Sequence, residues 1–486
     1  MPVGSHNYSL LTDLYQLTMA QGYWECNKLE EEACFHAFFR TNPFQGGYAI
    51  ACGIDHVLEV IEDYRFTSDD IAYLASLEAP AGGTLFDPAF LDYLSTMELA
   101  VDIDAVREGT VVFPNDPLLR VTGPILQCQL LETALLNCVN FETLIATKAA
   151  RVCLSADSPV AEFGLRRAQG EDGGLRASRA AVVGGCASTS NVLAGKLFNI
   201  PVSGTHAHSW VMSFDSELEA FRKYARVMPK NCVLLVDTYD ITQGIKNAIT
   251  VGLEMKERGE TLSAIRIDSG DLSWRAKQAR KMLDEAGLTE TGIVLSNDLD
   301  EYTIKSIKDS GAQVNSWGVG TKLTTAYDQP ALGGVYKLAA KRKTPDSEWQ
   351  DCIKVSGQAV KLTIPGVLDV RRYFHEDGRL AGDMVFDVNH GVERERIVDP
   401  ADEIRQKSLA GLTYTTLLEP IARNGKRVVD LSFGNAMEAR ERCREQLDLL
   451  DESQKRILNP HSYPVGLEYG LFHRRHKLVS DMLGNS

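Results

Sequence analysis

The chain has 486 residues, 44% of them hydrophobic and 24% charged, with 51 Lys plus Arg against 66 Asp plus Glu and a formal charge of −15. That length exceeds one ordinary core and predicts two or three domains, while the acidic excess disfavours nucleic acid or an anionic membrane as a partner. No apolar run reaches the ~18 residues that span a bilayer, the N-terminus lacks a basic leader, and ten cysteines without a C-x-x-C pair read as reduced thiols, so a cytoplasmic protein is expected.

In chain order, residue spacing predicts a helix over 10–23 and a strand through Cys34, His36 and Phe38. Helices follow over 54–64, 68–77 and 87–97, then strands over 105–113 and 118–122 and a long helix over 125–151. From about residue 158 short apolar runs recur at 160–163, 200–203, 233–236, 264–267, 293–295 and 314–317. Helical stretches such as 215–228 and 271–286 lie between them, and Ile245, Ala248, Ile249 and Leu253 form one apolar stripe of another helix. Such alternation implies a parallel sheet. Beyond 340 the pattern breaks, with antiparallel strands expected over 360–364 and 385–388 and a helix over 435–457.

Polar residues cluster where each run stops: Arg166; Thr205 with His208; Asp237 with Asp240; Arg266 with Asp268 and Asp271; Asn297 with Asp298; and Gly318, Gly320 and Thr321. Parallel strands place their C-terminal ends on one face. A (β/α) barrel brings all six groups together there, whereas an open sheet gathers only those beside its switch point. The expected architecture is therefore α/β, with an N-terminal α/β domain over 1–125, a (β/α) barrel over 126–345 and a C-terminal extension over 346–486 partly packed on the N-terminal domain.

Each cluster has a chemical and a plain reading. Glycines at 318 and 320 let backbone N–H groups approach an anion, or simply allow a tight turn, and the Walker A spacing is absent. His206 and His208 would face one way on a strand and bind metal, but no third ligand is evident. A histidine at a strand end serves equally as acid, base or phosphoryl acceptor. Arg266 can grip a carboxylate or phosphate with two parallel bonds, with Asp268 beside it; Asp240 and Asp271 read as helix caps and Asp237 as functional. Arg166 and Arg167 point to an anion pocket. Together the clusters suit a ligand with several phosphates and a small partner.

Six ordered blocks resemble the nicotinate phosphoribosyltransferase family across nearly the whole chain. They are Leu10-Leu11-Thr12-Asp13-Leu14-Tyr15-Gln16-Leu17-Thr18-Met19, Glu162-Phe163-Gly164-Leu165-Arg166-Arg167-Ala168, Ser190-Asn191-Val192-Leu193-Ala194-Gly195, Gly204-Thr205-His206-Ala207-His208-Ser209, Arg266-Ile267-Asp268-Ser269-Gly270-Asp271 and Gly318-Val319-Gly320-Thr321. The resemblance implies an irregular (β/α) barrel beside an α/β domain, and a homodimer with sites near the subunit interface. It also implies transfer of phosphoribosyl from phosphoribosyl diphosphate (PRPP) to nicotinate, with Mg2+ required and ATP hydrolysed through a phosphohistidine. Residue by residue, it makes His208 and Asp268 catalytic and gives Tyr15, Thr205, Arg266 and Asn191 to nicotinate. Thr321, Gly320, Gly318, Arg166 and Asp237 fall to PRPP and its phosphates, while the magnesium ligands stay undefined. Nicotinamide phosphoribosyltransferase is the alternative. Its acid at the position of Asn191 would repel a carboxylate, so Asn191 favours nicotinate. A non-catalytic nucleotide-binding barrel is the alternative from another class, against which intact His208, Arg266, Asp268 and Gly320 speak.

Overall fold

The computed structural model describes residues 8–354 and 363–484. It comprises two units, Met1–Leu144 with Ala331–Ser486, and Ile145–Pro330. The N- and C-terminal stretches of the chain thus share one unit.

In the first unit a seven-stranded antiparallel sheet runs in the order Gln350–Asp351, Gly334–Arg342, Glu32–Phe39, Leu119–Pro124, Asp102–Val106, Leu418–Arg423, Lys426–Arg427. Glu32–Phe39 is central and buried on both faces. Phe35 and Ala37 enter a core shared with the helices Ile54–Asp63, Pro88–Thr96 and Ile125–Leu130, while His36 on the other face accepts the Leu368 N–H at 3.0 Å. Alternation of side chains along an extended strand produces that division. Four expected elements differ in detail. The first helix begins at Leu14, after Asp13 adopts an extended backbone and accepts the Thr133 hydroxyl. The strand expected over 105–113 is broken by a turn at Gly109, whose φ is +83° and where a Cβ would sit 2.0 Å from the Ala439 carbonyl oxygen. The long helix is two, Ile125–Leu130 and Glu132–Ala156. The C-terminal helix is also two, Ala436–Asp448 and Glu452–Lys455, because Asp451 opens the second with a capping box.

The unit's second sheet has six strands in the order Asp402–Ser408, Arg396–Asp399, Val465–Glu468, Leu380–Asp387, Leu368–Phe374, Thr413–Thr416. It contains the strand expected over 385–388. Of the strand expected over 360–364, residues 360–362 lie outside the described residues, and Thr363 and Ile364 belong to no strand.

The second unit holds a six-stranded parallel sheet in the order Ser188–Thr189, Val160–Glu162, Ser316–Val319, Gly292–Ser296, Ala264–Ile267, Val233–Leu235. The last strand in sequence pairs with the first, which is the order of a barrel. The run expected over 200–203 is reduced to one parallel bridge between Thr189 and Val202, and the two-residue strand Ser188–Thr189 takes the place beside Val160–Glu162. Among the described residues no ladder joins Val202 to Val233–Leu235, so hydrogen bonding leaves the ring open at that seam. The helix Ile241–Glu257 packs its Gly244 face inward, since a Cβ there would meet the Val236 carbonyl oxygen at 2.0 Å. Ile245 and Ala248 are buried as the stripe predicts, but Leu253 is turned out to solvent. A buried ion cluster braces the unit: Glu301 bonds Arg151 at 2.8 Å and Lys148 at 2.7 Å.

Candidate active site

Arg266 organises the C-terminal end of the sheet. Its Nε donates to the Ser296 hydroxyl at 2.8 Å, one terminal nitrogen to the Thr205 hydroxyl at 2.9 Å and the other to Asp268 at 3.0 Å. The Ser296 hydroxyl donates onward to Asp268. The guanidinium lies 5.6 Å from the Phe163 ring centroid. These bonds use three of its five N–H donors, so two stay available to a ligand from a side chain already locked in position.

Phe163 is a residue the sequence reading passed over. Its ring occupies the space left by Gly318, where a Cβ would stand 2.6 Å from Phe163 Cδ2. Gly318 is thus required by packing. Gly320 precedes a single helical turn, Thr321–Thr324. Lys322 on that turn is tied to Asp300 at 2.6 Å.

Asp237 follows the strand Val233–Leu235. One carboxylate oxygen accepts the Asp268 N–H at 2.9 Å and the Ser269 hydroxyl at 2.6 Å, while the other, Oδ1, is buried with no hydrogen-bond partner among the described residues. A buried carboxylate oxygen without a donor calls for a cation or a proton donor. With Asp268 alongside, the donor set is all oxygen and fits a hard divalent ion such as Mg2+. Asp240 and Asp271 instead cap helices, accepting the N–H groups of Gln243 at 2.8 Å and Trp274 at 3.0 Å.

Residues 204–207 form no strand and His208 opens a helix, so the strand geometry that would have paired the two histidines on a metal is absent. His206 is buried and its Nε2 accepts the Leu235 N–H at 3.1 Å. His208 opens the short helix His208–Met212, and its Nδ1 meets the Thr238 hydroxyl at 3.1 Å. Thr238 is therefore the orienting partner that spacing alone did not reveal. Among the described residues the His208 Nε2 has no hydrogen-bond partner.

Asn191 is 2% exposed and caps the helix Val192–Phe198. Its Oδ1 accepts the Ala194 N–H at 3.2 Å, and its amide nitrogen donates to the Ser178 hydroxyl at 3.2 Å and the Gly174 carbonyl at 3.4 Å. Ser178 and Thr189 in turn donate to the buried Glu162. Arg166 sits exposed on the turn Leu165–Arg167 at the end of the strand Val160–Glu162. Tyr15 belongs to the first unit, where its half-exposed hydroxyl donates to Glu132 at 3.3 Å; partial burial, then the Glu132 charge, push its phenol above the ordinary range. Direct hydrogen bonds thus join Thr205, Arg266, Asp268 and Asp237, and His208 hangs on the residue next to Asp237.

Comparison with known proteins gives the family of the chain. The nicotinate phosphoribosyltransferase (NAPRTase) N-terminal domain matches residues 10–140, the NAPRTase family residues 159–357 and the NAPRTase C-terminal domain residues 369–475. The chain is 43% identical over 465 residues to nicotinate phosphoribosyltransferase of Bacillus subtilis, covering 94% of this chain and 92% of the relative. The crystal structure of human nicotinic acid phosphoribosyltransferase is similar over 96% of this chain and all of its own, at 32% identity and a TM-score of 0.82. Nicotinate-nucleotide pyrophosphorylase from Pyrococcus furiosus shares the fold at 22% identity and a TM-score of 0.68, over 91% of this chain and 95% of its own. With the N-terminal, central and C-terminal segments all matched in order, and the strand-end cluster lying inside the central one, the chain belongs to the nicotinate phosphoribosyltransferase family.

Proposed function

We propose that this chain transfers the phosphoribosyl group of PRPP to nicotinate, releasing diphosphate, and couples the transfer to ATP hydrolysis through phosphorylation of His208. The observation that carries the reading is the Arg266 guanidinium, fixed by Thr205, Ser296 and Asp268 over the Phe163 ring with two N–H donors to spare. That is a seat for a flat aromatic carboxylate. The carboxylate takes the two donors, the pyridine ring lies along Phe163, and the ring nitrogen is directed at the ribose anomeric carbon.

In the transfer the anomeric C–O bond breaks with its electron pair leaving on diphosphate, and the pyridine nitrogen lone pair forms the new C–N bond. The oxocarbenium-like transition state needs charge neutralised on the leaving group and a donor held in line. Gly320, Thr321 and Arg166, at the ends of neighbouring strands, serve the phosphates. Asp237 and Asp268 would hold Mg2+, which when bound offsets the diphosphate charge. In the coupled step the unpartnered Nε2 of His208 attacks the terminal phosphorus of ATP and ADP departs, with the ring proton kept at Nδ1 against Thr238. The phosphohistidine then returns to histidine by hydrolysis.

The family likeness supports the rest of the reading. Residues 126–345 form the catalytic segment, Tyr15 and Asn191 contribute to nicotinate selection, and the enzyme is a cytoplasmic homodimer at the entry of NAD salvage from nicotinic acid. No helix among the described residues is long and apolar enough to cross a membrane.

The test is a product assay with PRPP and Mg2+, comparing nicotinate with nicotinamide, each with and without ATP, and counting mononucleotide, diphosphate and ADP. Nicotinate turnover raised by ATP with ADP formed alongside is the expected result. Preference for nicotinamide overturns the substrate, and ADP formation that persists in His208→Ala removes His208 from the coupling.

A further inference from the structure

We infer that His206 is a positioning residue for the coupled reaction: its imidazole replaces the missing backbone ladder across the open seam of the parallel sheet and sets His208 in register with Thr238. The inference rests on the reading of His208 as the phosphoryl acceptor.

The argument begins with the edge of the strand Val233–Leu235. Its inner neighbour is Ala264–Ile267, and the Val236 N–H continues that pairing by donating to the Arg266 carbonyl. Backbone groups alternate sides along a strand, so the Leu235 N–H points the other way, into the seam. Leu235 is buried, and a buried N–H must find an acceptor. Across the seam the chain forms a single parallel bridge at Val202, and beyond it offers no strand. The acceptor is a side chain, His206 Nε2, at 3.1 Å.

For Nε2 to accept, the ring proton must sit on Nδ1, which faces the Ala207 carbonyl at 3.3 Å. The ring is wedged edge-on against Tyr224, with centroids 4.7 Å apart, and near Phe221 at 6.1 Å. Burial, against the opposing Ala207 carbonyl and with the Arg266 charge, holds it below the usual histidine range and so in the neutral, accepting form. Two residues along one side of the seam stands His208, and three residues along the other stands Thr238, joined at 3.1 Å. The two imidazole contacts are successive rungs between the same pair of segments. Without the first rung, His208 loses its fixed register against Thr238, while Thr205 stays tied to Arg266.

The experiment uses the full-length enzyme and the variants His206→Ala, His206→Asn and His206→Gln. A Gln side chain can present its carbonyl oxygen near the position of Nε2, whereas Asn reaches only toward that of Nδ1. Hydrogen exchange is followed on peptides covering 203–209, 233–238 and 264–267, together with phosphohistidine formation from ATP and mononucleotide formation without ATP. In His206→Ala and His206→Asn, exchange at 203–209 and 233–238 rises about tenfold or more with 264–267 unmoved. Phosphohistidine formation falls at least about tenfold while ATP-independent transfer falls less than about threefold. His206→Gln restores both. Equal behaviour of the Gln and Ala variants, or unchanged exchange in His206→Ala, overturns the inference. If wild-type enzyme forms no phosphohistidine, the coupled reaction is wrong as proposed and the inference falls with it; intact phosphohistidine in the wild type with no loss in His206→Ala defeats the inference alone.

Discussion

Asn191→Asp separates two roles for one residue. If Asn191 selects the substrate carboxylate directly, an acid at this position should move preference toward nicotinamide with little effect on folding. The hydrogen bonds describe another job. The side-chain oxygen caps Val192–Phe198 through the Ala194 N–H, and the amide nitrogen donates to Ser178 and to the Gly174 carbonyl. Aspartate keeps the cap but loses both donors. It also sets a second carboxylate one hydroxyl away from Glu162, because Ser178 donates to Glu162 at 3.0 Å.

Leaving buried partners unmet costs about 1–3 kcal/mol, and a like charge at this depth adds to it, for a total of about 2–4 kcal/mol. In a unit of this size that corresponds to a Tm lowered by about 4–16 °C. The new carboxyl is disfavoured in its charged form by burial and by Glu162, so its folded pKa lies above the unfolded value. The loss is therefore full at neutral pH and shrinks as the pH falls through the raised pKa. Thermal unfolding at neutral and mildly acidic pH, alongside kcat/KM for both pyridines, reads the two roles separately. An unchanged Tm with a gain of nicotinamide turnover would refute the structural role and leave Asn191 acting on the substrate alone.

Arg266→Ala should raise the KM for nicotinate about 10–150-fold, the equivalent of a lost charge-assisted contact of about 1.5–3 kcal/mol, with a smaller change for PRPP; equal losses in a steady-state assay would reassign Arg266 to phosphate. Gly318→Ala should displace the Phe163 ring, costing about 1–3 kcal/mol of stability and raising the nicotinate KM; thermal unfolding and kinetics unchanged from wild type would mean that the ring yields freely. Glu301→Gln breaks a fully buried pair with Lys148 and Arg151, and should cost about 3–5 kcal/mol, seen as a Tm loss of about 6–20 °C.

What the sequence reveals of this site follows from what each residue does alone. Asp240 and Asp271 are legible as caps because capping is local, set by a side chain and an N–H three residues on. The strand-end clusters are legible because parallel strands turn polar where they leave the core. Phe163 is not, since an aromatic after an apolar run looks like any core residue until Gly318, far along the chain, is seen to clear space for its ring. Thr238 and Ser296 are ordinary neutral residues whose importance lies in which neighbour they touch. Ser188–Thr189 is too short for periodicity to register, and the apolar run at 200–203, which predicts a strand, forms only one bridge. The stripe on Ile241–Glu257 was rotated by Gly244, whose close approach to Val236 pulls a glycine face inward and leaves Leu253 outside.

The charge arrangement explains how so acidic a chain accommodates anionic substrates. Around Arg266 one guanidinium answers two carboxylates, Asp268 directly and Asp237 through the Asp268 N–H and the Ser269 hydroxyl. Left alone, this cluster repels a diphosphate. In the proposed reaction nicotinate would escape that repulsion through the two guanidinium donors that Thr205, Ser296 and Asp268 leave unspent. If the diphosphate of PRPP is seated beside Asp237 as proposed, it would be compatible with the buried Oδ1 only when a divalent cation enters with it. On that proposal the same carboxylates that exclude a bare phosphate chain would select its metal complex, so the negative charge of the pocket would discriminate between the two forms of the substrate.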